Sequence, residues 1–206
     1  MNHEKTLLYL DIETIPGETM PSLDEISAPD NYKDETKILA YKQDNQEQEY
    51  RKQALQSYAG RIICIGYAIN DEDPKIIAGT EGAIIKEFDE LLCKVQPTAR
   101  YIGHNIKSFD LKFLQHRLWK YSGKHNLPSG RYTDMVIDTM VAFGCLDWKD
   151  MTSLDNIAKF FGLGVKTGKG SDIYDMWKFG ELEKIYDYCK NDVSVVREVA
   201  KKMRLI

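Results

Sequence analysis

Apolar and polar positions along the chain alternate between two periods. Leu7, Leu8, Tyr9, Leu10 and Ile12 form a nearly unbroken apolar run within 6–14, which predicts a strand buried on both faces. Arg61–Asn70 (RIICIGYAIN) predicts a second, and Asp71–Pro74 then turns the chain into a short strand over 75–79, as a hairpin. Beyond this the period changes. Apolar residues at 84, 85, 88, 91, 92 and 95 share one face of a helix over 81–95, and Pro97 ends it. The remaining pattern predicts a brief strand at 100–103, a helix at about 108–121 and a strand at 135–139. Ser153 caps a helix running through Phe161, and a last helix extends from about Gly180 onward.

Between the first two strands lies a polar stretch, read as an insertion at about 16–60 in a single domain spanning 1–206. Its first half, 17–31, is broken by Pro21 and Pro29 and reads as irregular. Lys42–Tyr58 has no Gly or Pro and is rich in Gln, Glu, Lys and Arg, so it reads as a helix with a solvated face. Long insertions beside a site often act as lids or substrate walls. The stretches 122–131 and 162–171 are Gly/Pro and Gly/Lys loops. Strands alternating with helices predict an α/β fold with a mixed sheet.

Composition narrows the function more by exclusion than by pointing. A net charge of −4 argues against a protein that coats nucleic acid through bulk charge, while leaving room for a local grip on a few nucleotides. The N-terminus is polar and the first apolar run is short for a signal sequence or a membrane span. Cys64, Cys93, Cys145 and Cys189 contain no C-x-x-C pair, and three of them lie in apolar-rich sequence. They are expected to be buried, reduced thiols in a cytoplasmic protein.

Candidate chemistry starts with Asp11 and Glu13, one strand period apart and so on the same face of the first strand. Two anions held side by side repel each other and lose hydration, which a divalent cation relieves. Taken alone, the pair is better explained by a strand that simply turns polar at its end, so the case for a metal must come from elsewhere in the chain. Asp110 opens a helix, where a carboxylate also serves as an ordinary cap. Tyr188 and Asp192 are four apart on the last helix and share a face, and the flanking apolar residues Ile185, Val193, Val195, Val196 and Val199 indicate a buried stripe.

Taken together these residues form an ordered set: Asp11-x-Glu13-Thr14, Asn105-x-x-x-Phe109-Asp110 and Tyr188-x-x-x-Asp192. The set resembles the three motifs of the DEDD superfamily of 3′–5′ exonucleases, in the branch with tyrosine in the third motif. GRIICIG (60–66) and GHNIKSFD (103–110) are further similar to proteins related to the proofreading exonuclease domain of family-B DNA polymerases. No polymerase segment is present and the chain ends soon after the third motif, so the resemblance implies a stand-alone exonuclease domain. It also implies a ribonuclease-H-like fold, a mixed central sheet of about five strands flanked by helices.

By the same resemblance the chain removes nucleotides from the 3′ end of single-stranded nucleic acid, DNA favoured over RNA. Two divalent ions, Mg²⁺ or Mn²⁺, would be held by Asp11, Glu13, Asp110 and Asp192, and Tyr188 would orient the attacking water. Asn105 and Phe109 would contact the terminal nucleotide or support the site, and Thr14 would offer backbone contacts to the 3′ end. Carboxylate oxygens suit these hard cations, and no His/Cys cluster points to zinc.

Lys166 and Lys169 lie in a loop that fails the phosphate-binding P-loop pattern, since Gly170 follows Lys169 and no glycine stands five positions before Gly168. They are candidate contacts to the substrate backbone, and a plain surface loop accounts for them as well. Asp138 and His104 read as structural. The competing functions are a ribonuclease D-like exoribonuclease, a non-catalytic module that binds 3′ ends, and a divalent-dependent endonuclease or transferase of the same broad fold. The non-catalytic module would be expected to lack at least one of the acids.

Overall fold

The structure, a computed structural model, describes residues 6–128, 133–163, 168 and 170–206. The first apolar run becomes β1 (Leu7–Ile15), and the helix that follows it is α1 (Glu35–Lys52). Next come β2 (Arg61–Ile69), β3 (Lys75–Ala78), α2 (Glu81–Val95), β4 (Arg100–Gly103) and α3 (Asp110–Lys120). The chain continues through β5 (Val136–Asp138), α4 (Thr139–Phe143), α5 (Leu154–Phe160), α6 (Ile173–Lys178) and α7 (Leu182–Lys202). The five strands form one sheet in the order β3-β2-β1-β4-β5, so β1 is central. β2 and β3 run antiparallel as a meander from β1, whereas β4 lies parallel to β1 and β5 parallel to β4.

Alternation along β1 sorts its side chains onto two faces. Leu8, Leu10 and Ile12 pack with Ile84, Ile85 and Phe88 of α2 and with Phe113 and Leu114 of α3. Tyr9 faces the other way, toward Ile157 of α5 and Val193, Val196 and Val199 of α7. Asp11 and Glu13 share the parity of Tyr9 and so project on the α7 side. Every large apolar group in these layers that is fully buried contributes about 1.5–3 kcal/mol, and Phe88, Tyr101 and Phe113 are among them.

The helix expected at 42–58 begins seven residues earlier and ends six residues earlier, at Glu35 and Lys52. Asp34 sets its start, its carboxylate accepting from the Thr36 N–H at 2.8 Å. Its end is set by tertiary contacts. A 3-10 turn over Gln53–Leu55 brings the Ala54 carbonyl to Thr14 Oγ1 at 2.6 Å. Tyr50 donates to the Gly17 carbonyl at 2.8 Å, and Arg51 forms a two-pronged pair with Asp175 of α6 at 2.8 and 2.7 Å. The polar stretch between β1 and β2 is thus tied both to the end of β1 and to α6.

Two of the four cysteines depart from expectation. Cys64 and Cys189 are buried, but Cys93 and Cys145 are exposed. The apolar neighbours of Cys93, Leu92 and Val95, point inward from α2, and one residue on from Leu92 the helix has already turned its side chain outward. Cys145 sits in a left-handed turn after α4, with φ of 49°. Among the described residues, no helix is long and apolar enough to cross a membrane.

Candidate active site

β1 extends past the end of its parallel neighbour. Its pairing with β4 stops at Tyr9–Ile102, so the next backbone groups on that edge need other partners. Asp110, the first residue of α3, supplies one: its Oδ1 accepts from the Ile12 N–H at 3.1 Å. This hydrogen bond locks the second motif to the first and sets Asp110, which is 3% exposed, at the carboxyl end of β1. Ligands of open α/β sheets bind at that end.

The third motif arrives on α7, which lies across β1 and β2. Gly66, directly opposite Asp11 in the β1–β2 register, makes the close approach possible. A Cβ there would stand 2.7 Å from Cys189 Sγ and 3.2 Å from the Cys189 carbonyl oxygen. Tyr188 and Asp192 are both buried on the α7 face turned to the sheet, and Cys189 Sγ donates to the Asp11 carbonyl at 3.6 Å. Ligand atoms of Asp11, Glu13 and Cys189 lie within 4.8 Å of one another. Gly66→Ala is expected to cost about 1–3 kcal/mol, as overpacking does, and to slow any reaction that needs Asp11 and Asp192 together. Thermal denaturation beside a rate measurement checks both effects.

The electrostatics follow from crowding acids where water is scarce. Burial pushes the Asp110 carboxyl up to about 7, with hydrogen bonds from the Asp110 and Ile12 amides opposing and the charges of Asp138 and Asp192 adding to the rise. Burial, a hydrogen bond to Cys64 and the nearby Asp11 charge hold the Cys189 thiol well above its usual range. The thiol donates to the Asp11 carbonyl, and a soft sulfur is a poor ligand for a hard cation. What remains is a set of hard carboxylate oxygens, at least one of them reluctant to ionise without a positive neighbour. This donor set fits Mg²⁺ or Mn²⁺.

A pH dependence follows for the metal-free protein. Because folding raises the Asp110 pKa from 3.8 to about 7, its contribution to stability is fully present below the unfolded value and is lost as pH rises through about 7. In chelator, the melting temperature is expected to fall between pH 6 and 8, and added Mn²⁺ to raise it more at pH 8 than at pH 6. Thermal scans at the two pH values, with and without metal, measure the difference.

The other candidate residues divide. The Asn105 backbone, at a positive φ of 58°, donates to Asp138 Oδ1 at 2.9 Å, and its carbonyl accepts from the Ser108 and Phe109 amides. Phe109 packs edge-on to Phe113 against the core. Both therefore shape the turn that presents Asp110. The Thr14 hydroxyl is committed to Ala54, which leaves its backbone as the part able to meet a ligand. Lys166 and Lys169 lie outside the described residues. Gly168, between them, stands where a Cβ would meet the Tyr188 ring at 3.2 Å.

Asp138 has the structural role expected of it, accepting from the Asn105, Lys107, Met140 and Val141 amides. His104 Nδ1 meets Thr139 Oγ1 at 3.1 Å. Sequence reasoning passed over Cys189 and Gly66. Cys189 precedes Asp192 by one helical turn, and a glycine inside a strand marks close backbone approach, so both signals were present.

Residues 52–196 match the family described as "Predicted 3'-5' exonuclease related to the exonuclease domain of PolB". The chain belongs to this family. It is 28% identical over 159 residues to a DNA polymerase of Archaeoglobus fulgidus, covering 69% of this chain and 20% of the polymerase. Its fold matches the structure of the family-B DNA polymerase of the hyperthermophilic archaeon Pyrobaculum calidifontis with a TM-score of 0.63 at 15% identity. That match covers 98% of this chain and 25% of the polymerase chain, so the exonuclease-family chain spans a fifth to a quarter of the polymerases it matches. The mixed sheet flanked by helices is the ribonuclease-H-like α/β fold.

Proposed function

We propose that the chain hydrolyses phosphodiester bonds at the 3′ end of single-stranded nucleic acid, DNA in preference to RNA, and releases nucleoside 5′-monophosphates. The observation that carries this proposal is the gathering of acids from β1, α3 and α7 at the carboxyl end of one strand, where Asp110 feels the charge of Asp192 and is held by the Ile12 amide. The preference for DNA rests on the family's relation to a polymerase exonuclease domain. The whole chain acts as one exonuclease domain, with 16–60 as an insertion beside the site.

Asp11, Glu13, Asp110 and Asp192 would hold two divalent cations, Mg²⁺ or Mn²⁺. When bound, such ions stabilise charge on the phosphate and the leaving 3′-oxygen and lower the pKa of the attacking water. Tyr188 hydrogen-bonds that water and aims it. A phenol titrates near about 10 and is a better positioner than base. Asn105 and Phe109 support the site through the turn that presents Asp110, the Thr14 backbone meets the 3′ end, and Lys166 and Lys169 offset backbone phosphate charge.

Three 5′-labelled or circular substrates test this in Mn²⁺: linear single-stranded DNA, RNA of matched sequence and a single-stranded DNA circle. The linear DNA is expected to shorten stepwise from its 3′ end faster than the RNA, and the circle to survive. Cleavage of the circle would contradict end-directed action. Faster loss of the RNA would reverse the sugar preference. Survival of all three would contradict catalysis.

A further inference from the structure

On the far side of the sheet from Asp11 and Glu13, the outer face of α2 carries a second cluster of reactive groups. Asp89 and Cys93 stand four residues apart and share a helical face. His125, in the segment after α3, meets both. Its Nδ1 is 2.8 Å from Asp89 Oδ1 and its Nε2 is 3.6 Å from Cys93 Sγ. Asp89 also accepts from the Lys124 amide at 3.1 and 3.0 Å and from the His125 amide at 3.1 Å. Burial works against the charge on Asp89, but these hydrogen bonds and the imidazole outweigh it and hold the carboxyl below its usual range.

An ionised Asp89 fixes the tautomer of its neighbour: Nδ1 carries the proton and donates to the carboxylate, so Nε2 faces the sulfur as an acceptor. The carboxylate and imidazole side chains are only 14% and 20% exposed, while Cys93 is open to solvent. Carboxylate, imidazole and thiol in this order form the arrangement that activates a sulfur nucleophile. Cys145 is also exposed and, among the described residues, has no such partner.

We propose that Cys93 is a nucleophilic thiol that forms a mixed disulfide with low-molecular-weight disulfides, with His125 taking its proton and Asp89 positioning the imidazole. The Cys93 sulfur attacks one sulfur of the small disulfide, and the new S–S bond forms as the old one breaks. The displaced half leaves as a thiolate and takes the proton from His125, so the exchange needs no further oxidant. Nothing in this reaction depends on the carboxylate site across the sheet.

Incubating the full chain with oxidised glutathione, followed by intact mass and peptide mapping, tests the assignment. Cys93 is expected to be modified on the order of tenfold faster than Cys145 in the same molecule. His125→Gln is expected to bring Cys93 down to the Cys145 rate and leave Cys145 unchanged. Protection of the buried Cys64 and Cys189 reports that the variant is folded. Equal rates at Cys93 and Cys145 in the unaltered chain would overturn the proposal whatever the variant does. So would an unchanged Cys93 rate in a folded His125→Gln protein.

Discussion

Replacing Asp11 by alanine is expected to slow 3′-terminal hydrolysis on the order of a thousandfold, about 4 kcal/mol of lost transition-state stabilisation. Asp11 is where the site's elements meet. Its strand partner is Gly66, its carbonyl accepts from Cys189 Sγ on α7, and the amide of the next residue is held by Asp110 of α3. These contacts are made by the backbone and survive the substitution, so the variant should stay folded and lose only the carboxylate. Asp11→Asn sharpens the test, because it keeps the side chain's size and removes its charge. Single-turnover rates for both variants, with Mn²⁺ binding followed by calorimetry, give the result. A near-normal rate in either variant would sink the assignment of Asp11.

Arg117→Met is expected to destabilise the fold by about 3–5 kcal/mol, as does removal of one partner from a buried ion pair. Arg117 is 4% exposed and its Nε lies 2.6 Å from Glu81 Oε1, whose side chain is 8% exposed. Its Nη1 donates to the Ser57 carbonyl at 2.8 Å and its Nη2 to the Gly60 carbonyl. The substitution therefore takes the guanidinium from a buried carboxylate and from two carbonyls at once. Glu81 keeps the Ile62 amide at 2.8 Å and a longer contact to Lys120 at 3.6 Å, which favours the lower half of the range. A fall in melting temperature on the order of 10 °C follows for a chain of this size. Adding Glu81→Gln to Arg117→Met should recover part of the loss by removing the stranded charge, and a double-mutant cycle measures how much.

The parts of the fold that could be read in the sequence are those where one period persists. β1, β2 and α2 have long runs with a single apolar face or two, and the structure places them within a residue or so of their expected bounds. The short helices α4 and α6, five and six residues long, contain too little periodicity to register and owe their form to neighbours. α1 was misplaced for a related reason. None of its residues is buried, so no apolar stripe marked its limits, and its start depended on the single cap Asp34.

The candidate site was legible as residue types at ordered spacings, since period two on a strand and four on a helix dictate which carboxylates share a face. What could not be read was how the three elements are held together. The Ile12 amide needs Asp110 only because β4 ends early, and α7 approaches only because Gly66 has no side chain. Both are relations between segments distant in sequence. The Arg117–Glu81 pair is another, and as one charged residue among many on two helices it gave no sign of being buried.

The most direct test of the central claim follows 5′-labelled single-stranded DNA incubated with the purified chain in Mn²⁺, in EDTA, and with Asp192→Ala in Mn²⁺. A ladder descending from the 3′ end in the first case, and intact strand in the other two, is the predicted result. An undiminished ladder in EDTA or with Asp192→Ala would contradict a metal-dependent carboxylate site, and intact strand in all three would contradict exonuclease activity.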